Sequence, residues 1–495
     1  MSAVPAATQV SATSTADATS QSTTALRSPS RTKSCADKRR NAANADGTSD
    51  IFPAYVLDDI QVQGNRVTKK AVILRYVPFQ KGDVIRASDP RVIDTKYRLL
   101  GLGFFHSVHL DLKRGERHGH AILVLRVRER GTILINNIFL GTSEATRFWG
   151  GIDAADTNFL GRGMLLSAAF VAGTKALVPG AHIQHAERLR FSDPSVLGSR
   201  FAIHAMLLHA DASEFFRTSG HSSWSSPKYF TTMRYRRIGG MIGTGVNVGA
   251  FNRVAVFYRL EHIYANMPST TVRTYPDNST WGIDFGLGPG SSFLSSLVVD
   301  FLRDRRGNPV LPHSGYRIRA TGELSAQVLA SSYTFAKLVG QYQQWWKLPR
   351  ANHSISLEIM GGLIVGNAPL FNRFFIGDVN DLLPSRALEL NFSTMPSRNL
   401  LHTIMDDKRY ENMTSRIAIE YSLDLFRGHR FLYGVDFFAR VGVFSLLSKK
   451  ILRQRQSDFG KALPLDLTMD VGVRLDTRVG VFTLSVANAL GRLPW

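Results

Sequence analysis

Few residues of this sequence stand in a pattern that supports catalysis. The chain has no Gly-x-Ser-x-Gly elbow, no His-Glu-x-x-His pair and no Walker A loop, the motifs of hydrolases, zinc proteases and nucleotide-binding enzymes. Its 14 histidines are scattered, and none forms a convincing ligand pair for a metal ion. We therefore predict no catalytic residue, no metal site and no cofactor, and we expect that the protein is not an enzyme.

Three further features could carry chemistry, but each has a simpler explanation. The Gly-rich stretch GLGPGSS (286–292) does not join a strand to a helix, so we expect a hairpin connection rather than a phosphate cradle. Asp304 and Arg306 are close enough in sequence to pair, and we expect such a pair to be structural. The single cysteine, Cys35, can form no intramolecular disulfide and is expected to be a free thiol.

The net charge of +21, from 60 basic and 39 acidic side chains, first suggests nucleic acid or anionic lipid as a partner. The excess is spread along the chain, however: residues 1–50 carry six basic and four acidic side chains, and residues 54–130 carry 15 and eight. The longest basic run is the Lys38-Arg39-Arg40 triplet, and there is no RNA-binding aromatic motif. We predict no nucleic-acid partner and expect some of these charges to face anionic lipid headgroups.

The first 50 residues include 28 Ala, Ser and Thr residues and no Phe, Trp, Tyr or Ile. Such a segment cannot bury enough apolar surface to offset its ordering entropy, so we predict that residues 1–50 are disordered. They contain no apolar run of a secretory signal peptide. A low-complexity extension, a misplaced start codon with a signal peptide upstream, and an organellar transit peptide remain open as explanations.

Residues 54–130 have the pattern of a compact α/β module. An alternating strand over 55–62 ends at Gly64-Asn65, which is a turn signal, and Thr68 is placed to cap a first helix.

A second helix is expected to begin at Asp89-Pro90, because proline suits the first helical position. Two strands, over 105–112 and 121–127, follow with a charged turn between them. The predicted order of elements is therefore β-α-α-β-β.

From residue 132 onward, apolar and polar residues alternate with a period of two, as in the run where Ile417 and Ile419 alternate with Ala418 and Glu420. Each run is about ten residues, the length of a tilted strand across a bilayer, and no stretch of 18 apolar residues indicates a spanning helix. A soluble β-sandwich is disfavoured because its strands average ~5–6 residues. We predict a transmembrane antiparallel β-barrel of about 16 strands over residues 132–495.

Two resemblances follow from these segments. Residues 54–130 resemble a polypeptide-transport-associated (POTRA) domain through the strings IQVQGNRVTKKAVI, KGDVI, YRLLGLGFFHSVHLDL and VLRVRER. Residues 132–495 are similar to the barrel of the BamA/TamA superfamily, of the bacterial surface antigen type, through NFLGRGMLL (158–166), RFSDPSVLGSRF (190–201), DRRGNPVLPHSGY (304–316) and RFFIGD (373–378). The C-terminal aromatic residue, Trp495, also suits such a barrel.

One segment departs from the family pattern. An inward-folded loop of the family carries Arg-Gly-aromatic after a Gly-Gly turn, whereas here the matching stretch is IGDVNDLLPSRALELNF (376–392). Asp378 replaces the second Gly, and Arg386 is followed by Ala387 and Leu388. The resemblance implies that Arg386 anchors this loop to acidic residues on the inner wall, and the alternative is a solvent-exposed loop arginine.

The resemblance implies assembly and insertion of β-barrel proteins into an outer membrane. Clients captured by the POTRA domain would add, strand by strand, to a seam between the first barrel strand near 132–141 and the last near 480–490. The implied partners are unfolded barrel clients, outer-membrane lipids and accessory assembly lipoproteins.

Two alternatives concern function and compartment. A pore that exports a specific polypeptide, as in two-partner secretion, remains possible as a function, although those relatives usually carry two POTRA domains and a plug helix. A passive porin would leave the POTRA domain without a role. We expect the outer membrane of a Gram-negative bacterium with the POTRA domain in the periplasm, and a mitochondrial or plastid outer membrane is the alternative.

Overall fold

A computed structural model of the chain provides the structure. It describes residues 9–12, 53–86, 89–102, 104–129, 131–141, 145–219, 226–248, 251–306, 312–349, 352–375, 386–392, 410–428, 432–447, 465–477 and 480–492.

The α/β domain contains the elements that its sequence predicts and one additional strand. Its elements are β2 (Ala54–Gln63), α1 (Lys70–Leu74), β3 (Val84–Arg86), α2 (Pro90–Gly101), β4 (Phe105–Arg114) and β5 (His120–Glu129). They form a four-stranded sheet in the order β3-β2-β5-β4, in which β2 and β5 are parallel. The extra strand β3 lies in the KGDVI stretch, because these residues pair with the start of β2 at the edge of the sheet.

The two helices of this domain bury apolar side chains against the sheet. Ile73 of α1 and Leu99 of α2 are fully buried in one cluster with residues of β2, β4 and β5. The start of α2 is as predicted, since the Asp89 side chain accepts a hydrogen bond from the backbone N–H of Arg91. The first helix is present, but the prediction that Thr68 caps it is wrong. The residue before α1 is Lys69, whose side chain makes no capping hydrogen bond. No helix in the described residues is long and apolar enough to cross a membrane.

One antiparallel sheet of 16 strands accounts for most of the remaining chain. Its strands are β1 (Gln9–Ala12), β6 (Ile133–Gly141), β7 (Trp149–Phe159), β8 (Met164–Gly173), β9 (His185–Asp193), β10 (Phe201–Arg217), β11 (Phe230–Val248), β12 (Asn252–Asn266), β15 (Gly290–Asp304), β16 (Gly315–Ser325), β17 (Thr334–Lys347), β18 (His353–Asn367), β21 (Met413–Arg427), β22 (Leu432–Leu447), β23 (Asp466–Thr477) and β24 (Gly480–Arg492). Two small hairpins lie in loops: β13 (Val272–Thr274) with β14 (Thr280–Gly282), and β19 (Arg386–Ala387) with β20 (Leu390–Asn391). Short 3-10 helices occupy Val196–Gly198, Pro227–Tyr229, Gln327–Leu329 and Leu370–Asn372.

The alternating pattern places apolar side chains outside and charged ones inside. In β21, Ile417 and Ile419 are each 56% exposed, whereas Arg416 and Glu420, on either side of them in the chain, are buried. Similar exposed apolar residues recur on the outer face of most other strands, for example Leu207 and Ile242. A soluble sheet would bury these side chains, so the outer face suits a hydrocarbon environment.

The sheet is rolled around a loop. Trp149 of β7 and Lys337 of β17 contact residues of the same loop, between β18 and β21. These strands are eight places apart in the sheet, which would separate them by about 38 Å if it were flat. We call the end of the rolled sheet beside the α/β domain, where β7 turns into β8, the proximal end, and the opposite end the distal end.

The two strands that should close the roll are β6 and β24. In the described part of the chain they form no ladder with each other, and the free edge of β24 pairs instead with β1. In that pairing Gln9 lies opposite Ser485 and Ala12 opposite Phe482. The sheet therefore reaches 16 strands with one from the N-terminal segment, whereas the sequence placed them all in 132–495. The remainder of residues 1–50 lies outside the described residues, and their predicted disorder stays a prediction.

Candidate functional site: a loop anchored inside the barrel

The loop between β18 and β21 starts at the distal end of the sheet and packs inside the roll. Its described parts are residues 368–375, 386–392 and 410–412. The side chains of Phe371, Phe374 and Phe392 are nearly inaccessible, and they join a large buried cluster with residues of the inner wall. The loop therefore packs tightly against the inner wall at this level.

Glycines in the wall provide room for the loop aromatics. A Cβ on Gly362 of β18 would lie 2.4 Å from the ring of Phe374, and one on Gly173 of β8 would lie 2.8 Å from the ring of Phe392. The Phe392 ring also stacks on Trp149, with centroids 5.0 Å apart and planes at 6°. Any side chain at these glycines would push the loop away from the wall.

A buried ion pair on the wall receives a carboxylate from the loop. The guanidinium of Arg237, on β11, donates to Glu261 of β12 at 2.7 Å and to Glu389 of the loop at 2.7 Å. Arg237 and Glu261 are each 1% exposed. Two charges buried to this degree are stable only when each has its partners, so the loop carboxylate completes the arrangement.

The same ion pair extends to the start of the loop. Arg259 of β12 contacts Glu261 at 2.6 Å, Glu323 of β16 at 3.2 Å and the side-chain oxygen of Asn372 at 3.2 Å. Asn372 also donates to Glu323 at 3.0 Å. We call Arg237, Arg259, Glu261, Glu323, Asn372 and Glu389 the anchor network. It holds two of the three described parts of the loop, those with Asn372 and Glu389, on β11, β12 and β16.

Cations also lie against the loop's aromatic faces. The Arg237 guanidinium lies 3.7 Å from the ring centroid of Phe371, and the Lys337 ammonium lies 4.8 Å from that of Phe374. Lys337 also donates a hydrogen bond to the backbone carbonyl of Asn372 at 2.7 Å. These cation–π contacts add attraction at desolvated positions.

The loop is anchored through an acidic residue on a basic wall residue, whereas the sequence predicted a basic loop residue on an acidic wall. The backbone of Arg386 pairs with Asn391 in the β19–β20 hairpin, but its side chain lies outside the described residues, so its anchoring role stays a prediction. The loop residue that reaches the wall is Glu389, three positions later, and its wall partner is basic. Sequence reasoning missed Glu389 because nothing in a single sequence indicates that Arg237 faces this loop.

A second charged cluster lies on the inner wall without the loop. Glu420 of β21 is buried and accepts from Arg440 of β22 at 2.7 Å and from Arg474 of β23 at 2.7 Å. The Arg474 guanidinium also covers the ring of Phe438 at 4.0 Å. This cluster ties three consecutive strands together near the end of the sheet.

The proximal turn between β7 and β8 docks the α/β domain. Asn158 donates to the hydroxyl of Thr68 at 2.9 Å, and the carbonyl of Gly161 accepts from the backbone N–H of Lys69 at 2.8 Å. Gly161 has a positive φ of 68°, and a Cβ there would lie 1.9 Å from the carbonyl oxygen of Val67. The NFLGRG segment thus forms the interdomain junction, and the Thr68 hydroxyl belongs to this junction rather than to a helix cap.

The predicted turn at Gly64-Asn65 supports this junction from within the α/β domain. Gly64 has a φ of 88°, and a Cβ there would lie 2.1 Å from the carbonyl oxygen of Val127. The Asn65 side chain donates to the Thr68 carbonyl at 2.9 Å. The turn therefore fixes the backbone that contacts the barrel.

The carboxylate of Glu129 closes the same turn. It accepts hydrogen bonds from three consecutive backbone N–H groups: Arg66 at 2.9 Å, Val67 at 2.9 Å and Thr68 at 2.6 Å. Burial acts to raise the pKa of this carboxyl, but the bonds from Thr68 and its neighbours outweigh burial and hold the pKa below its ordinary value of 4.5. Glu129 ends β5, so it joins the junction to the last strand of the domain.

We expect the junction to loosen in acid, through Glu129. A group with a lowered folded-state pKa stabilises the fold above its unfolded pKa, and this contribution is lost as the pH falls below about 4.5 toward the folded value. Hydrogen-exchange protection of the Arg66, Val67 and Thr68 amides should fall in that window. In Glu129→Gln the protection of these amides should be low at every pH. The exposed Glu116→Gln should behave like the parent protein. An unchanged acid step in Glu129→Gln would contradict this role.

The Gly-rich stretch and the Asp304–Arg306 pair, both noted in the sequence, lie at the two ends of β15. Asp304 and Arg306 do form an ion pair, at 2.6 Å, where β15 ends at the proximal turn. The Gly-rich stretch at 286–292 connects to the start of β15, after the small β13–β14 hairpin. Cys35 and Trp495 lie outside the described residues.

Family comparisons agree with both parts of the chain. The family model described as "Omp85 superfamily domain" matches residues 158–382. The POTRA model described as "Surface antigen variable number repeat" matches residues 55–130. The anchor network, apart from Glu389, lies within the first match, and the Gly64-Asn65 turn lies within the second.

Individual proteins show the same similarity. The chain is 22% identical over 340 residues to an outer membrane protein assembly factor BamA of Nitratidesulfovibrio vulgaris, covering 66% of this chain and 37% of that relative. The chain therefore spans little more than a third of the length of this relative. Among solved structures, it is similar in fold to Haemophilus ducreyi BamA lacking POTRA domains 1–3 (TM-score 0.54, 14% identity, 89% of this chain and 82% of that one). It is similar also to CdiB from Escherichia coli (TM-score 0.57, 11% identity, 89% of this chain and 74% of that one).

Proposed function

Because this chain is a BamA/Omp85 family member with a POTRA domain, we propose that it folds and inserts β-barrel proteins into an outer membrane. The membrane is that of a Gram-negative bacterium, with the POTRA domain in the periplasm. The proximal end of the barrel therefore faces the periplasm and the distal end the exterior. The proposed clients are unfolded barrel proteins, in contact with outer-membrane lipids and accessory assembly lipoproteins.

The observation that carries this proposal is the seam, at which an extended segment occupies the edge of β24 in the described structure. Among the described residues, β6 and β24 form no ladder, and β24 instead pairs with the extended segment β1. An edge that accepts one extended segment can accept another, because main-chain hydrogen bonds depend little on sequence. A client strand would replace β1 there. Its backbone would enter the membrane with one edge already paired to β24 and the other edge ready to accept the next strand.

The POTRA domain offers a first edge to such clients. Its sheet order places β4 (Phe105–Arg114) at one side, with ten residues and, in the described structure, a partner only in β5. The junction at Asn158 and Gly161 holds this edge in a fixed direction relative to the barrel. We propose that β4 binds extended client segments before they reach the seam.

Export of one specific polypeptide through the lumen is the alternative, and the fold likeness to CdiB is what favours it. The anchored loop bears on this choice. It crosses the inside of the roll between β7 and β17, so displacement of Glu389 and Phe392 from the wall would widen the route for a polypeptide. Insertion at the seam requires no such displacement, and for this reason we favour assembly. That the protein is not an enzyme stays a prediction.

A reversible disulfide at the seam tests the proposal. In a Cys35→Ser background, Gln9→Cys and Ser485→Cys place thiols at directly opposed positions of β1 and β24. Reconstituted in liposomes with an unfolded barrel client, the oxidised protein should give no more protease-protected client than empty liposomes. Reduction should restore the yield, because the edge of β24 becomes available again.

The matched control places a disulfide elsewhere in the wall. Val256→Cys and Val299→Cys are opposed positions on the outer face of β12 and β15, far from the seam in strand order. Oxidation of this pair should leave the client yield unchanged. If the oxidised seam variant inserted clients as well as its reduced form, assembly through this edge would be wrong.

A further inference from the structure

A cluster of two histidines and one glutamate lies on the outer wall, away from the anchored loop and the seam. His185 and Glu187 are two residues apart on β9, and His209 of β10 lies directly opposite Glu187. Side chains two apart on a strand share a face, so all three point the same way. The next residues on that face, Leu189 and Leu207, are exposed, which identifies it as the outer face.

The distances between the three side chains suit a shared metal ion. His209 Nδ1 lies 2.7 Å from Glu187 Oε2, and His185 Nε2 lies 4.0 Å from Glu187 Oε1. One ligand atom from each residue lies within 4.8 Å of the other two. Two donors of one tetrahedral zinc ion are about 3.3 Å apart, given bonds of ~2.0–2.1 Å, so a small rotation of the rings closes the site.

The donor set indicates which metal would bind. Two imidazoles and a carboxylate match zinc, copper and nickel, whereas Mg²⁺ and Ca²⁺ prefer oxygen ligands alone. The three side chains are between 36% and 44% exposed, so an ion can enter, and water can complete the coordination. We propose that His185, Glu187 and His209 form a Zn²⁺ site on the outer wall of the barrel.

The charged surroundings of the site are one acidic and two basic side chains. The basic side chains nearest to it in the sheet are Arg234 and Arg236 of β11, and both are paired with Asp211, which lies opposite His185. Asp211 thereby compensates one of these two positive charges close to the site, and the Glu187 carboxylate attracts the metal.

The position of the site gives it a structural effect. Glu187 is flanked on β8 by Phe170 and His209 on β11 by Ile238, and both apolar side chains are exposed on the outer face. His185 begins β9, so the site lies where the β9–β10 ladder ends at the distal rim. A bound ion would join the start of β9 to β10, which continues beyond the site to Arg217.

Binding to the full-length protein in detergent tests the site. The protein must carry no polyhistidine tag and be freed of metal by a chelator. Titration with Zn²⁺ in a calorimeter should then give one saturable site per chain, and Co²⁺ should give the visible absorption of a four-coordinate complex. His185→Ala and His209→Ala should each weaken Zn²⁺ binding at least about ten-fold, and the double variant should abolish it.

The control is another histidine on the outer face. His262 of β12 lies opposite Ile238 and packs on Phe293, with ring centroids 5.0 Å apart. His262→Ala should bind Zn²⁺ as the parent does. Glu187→Gln keeps the shape of the side chain but removes its charge, and it should also weaken Zn²⁺ binding. This variant tests the site even if a histidine variant fails to fold. No saturable binding by the parent protein, or equal stoichiometry in the double variant, would overturn the proposal.

Discussion

Replacing Arg237 with Met should destabilise the barrel by about 3–5 kcal/mol, the usual cost of removing one partner from a buried ion pair. The substitution removes the contact between Arg237 and Glu389 and leaves Glu261 with Arg259 as its basic partner in the anchor network. We therefore expect the loop between β18 and β21 to detach from the wall and become sensitive to added protease. Urea unfolding in detergent micelles, followed by the gel shift between folded and unfolded barrel, measures the loss.

The neighbouring arginine provides a matched control. Arg236 lies on the outer face, is 59% exposed and pairs with Asp211 at 3.2 Å. Exposed pairs contribute about 0–1 kcal/mol, so Arg236→Met should unfold near the parent's urea concentration and keep the loop protected. Equal destabilisation by the two substitutions would mean that the anchor network does not hold the loop.

The substitution Gly161→Ala should separate the POTRA domain from the barrel turn. Its Cβ would lie 1.9 Å from the Val67 carbonyl oxygen, which belongs to backbone and cannot rotate away. The hydrogen bond from Lys69 N–H to the Gly161 carbonyl should break, and hydrogen-exchange protection of the Lys69 amide should fall by about ten-fold or more. Spin labels on the two domains should show a broadened distance distribution, and client insertion should fall because β4 loses its fixed direction.

Gly161→Ala combines two effects, the strain of a positive φ and the clash with the Val67 carbonyl, and a substitution at Gly119 separates them. Gly119 has a φ of 82°, comparable to the 68° of Gly161, but no heavy atom lies within 4 Å of a Cβ built there. Gly119→Ala therefore carries the left-handed strain of roughly 1–2 kcal/mol without the collision. We expect it to leave the Lys69 amide protected and the distance distribution narrow. A Gly161→Ala protein that matched it in both measurements would show that the junction tolerates a side chain.

The sequence predicted the local structure well where a repeating pattern was present. The period-two alternation around Ile417 and Glu420 indicated long strands with one apolar face, and the structure has β21 there with these faces outside and inside. Asp89-Pro90 indicated the start of α2, because a cap acts within a single turn. The Gly64-Asn65 turn was likewise a local signal, and the Gly64 backbone has the left-handed conformation that favours glycine.

The predictions failed where a residue's partner lies far away in the chain. Thr68 was expected to cap α1, but its hydroxyl accepts from Asn158, 90 residues later. The prediction that the histidines form no metal-ligand pair is untested, although the pairing of β9 with β10 brings His209 beside Glu187. No sequence pattern predicted Glu389 as an anchor. Its role depends on Arg237, which lies on β11, far earlier in the chain.

The sequence by itself determined the family, the α/β domain followed by a membrane barrel, and the direction in which each strand turns its apolar face. These depend on residues a few positions apart, whose geometry is set by the 2.0 and 3.6 residue periods of strands and helices. The tertiary structure decided which charges meet, how the α/β domain is docked and which segment pairs with the edge of β24. Those outcomes depend on the register between distant strands, because a shift of one residue exchanges the inner and outer faces.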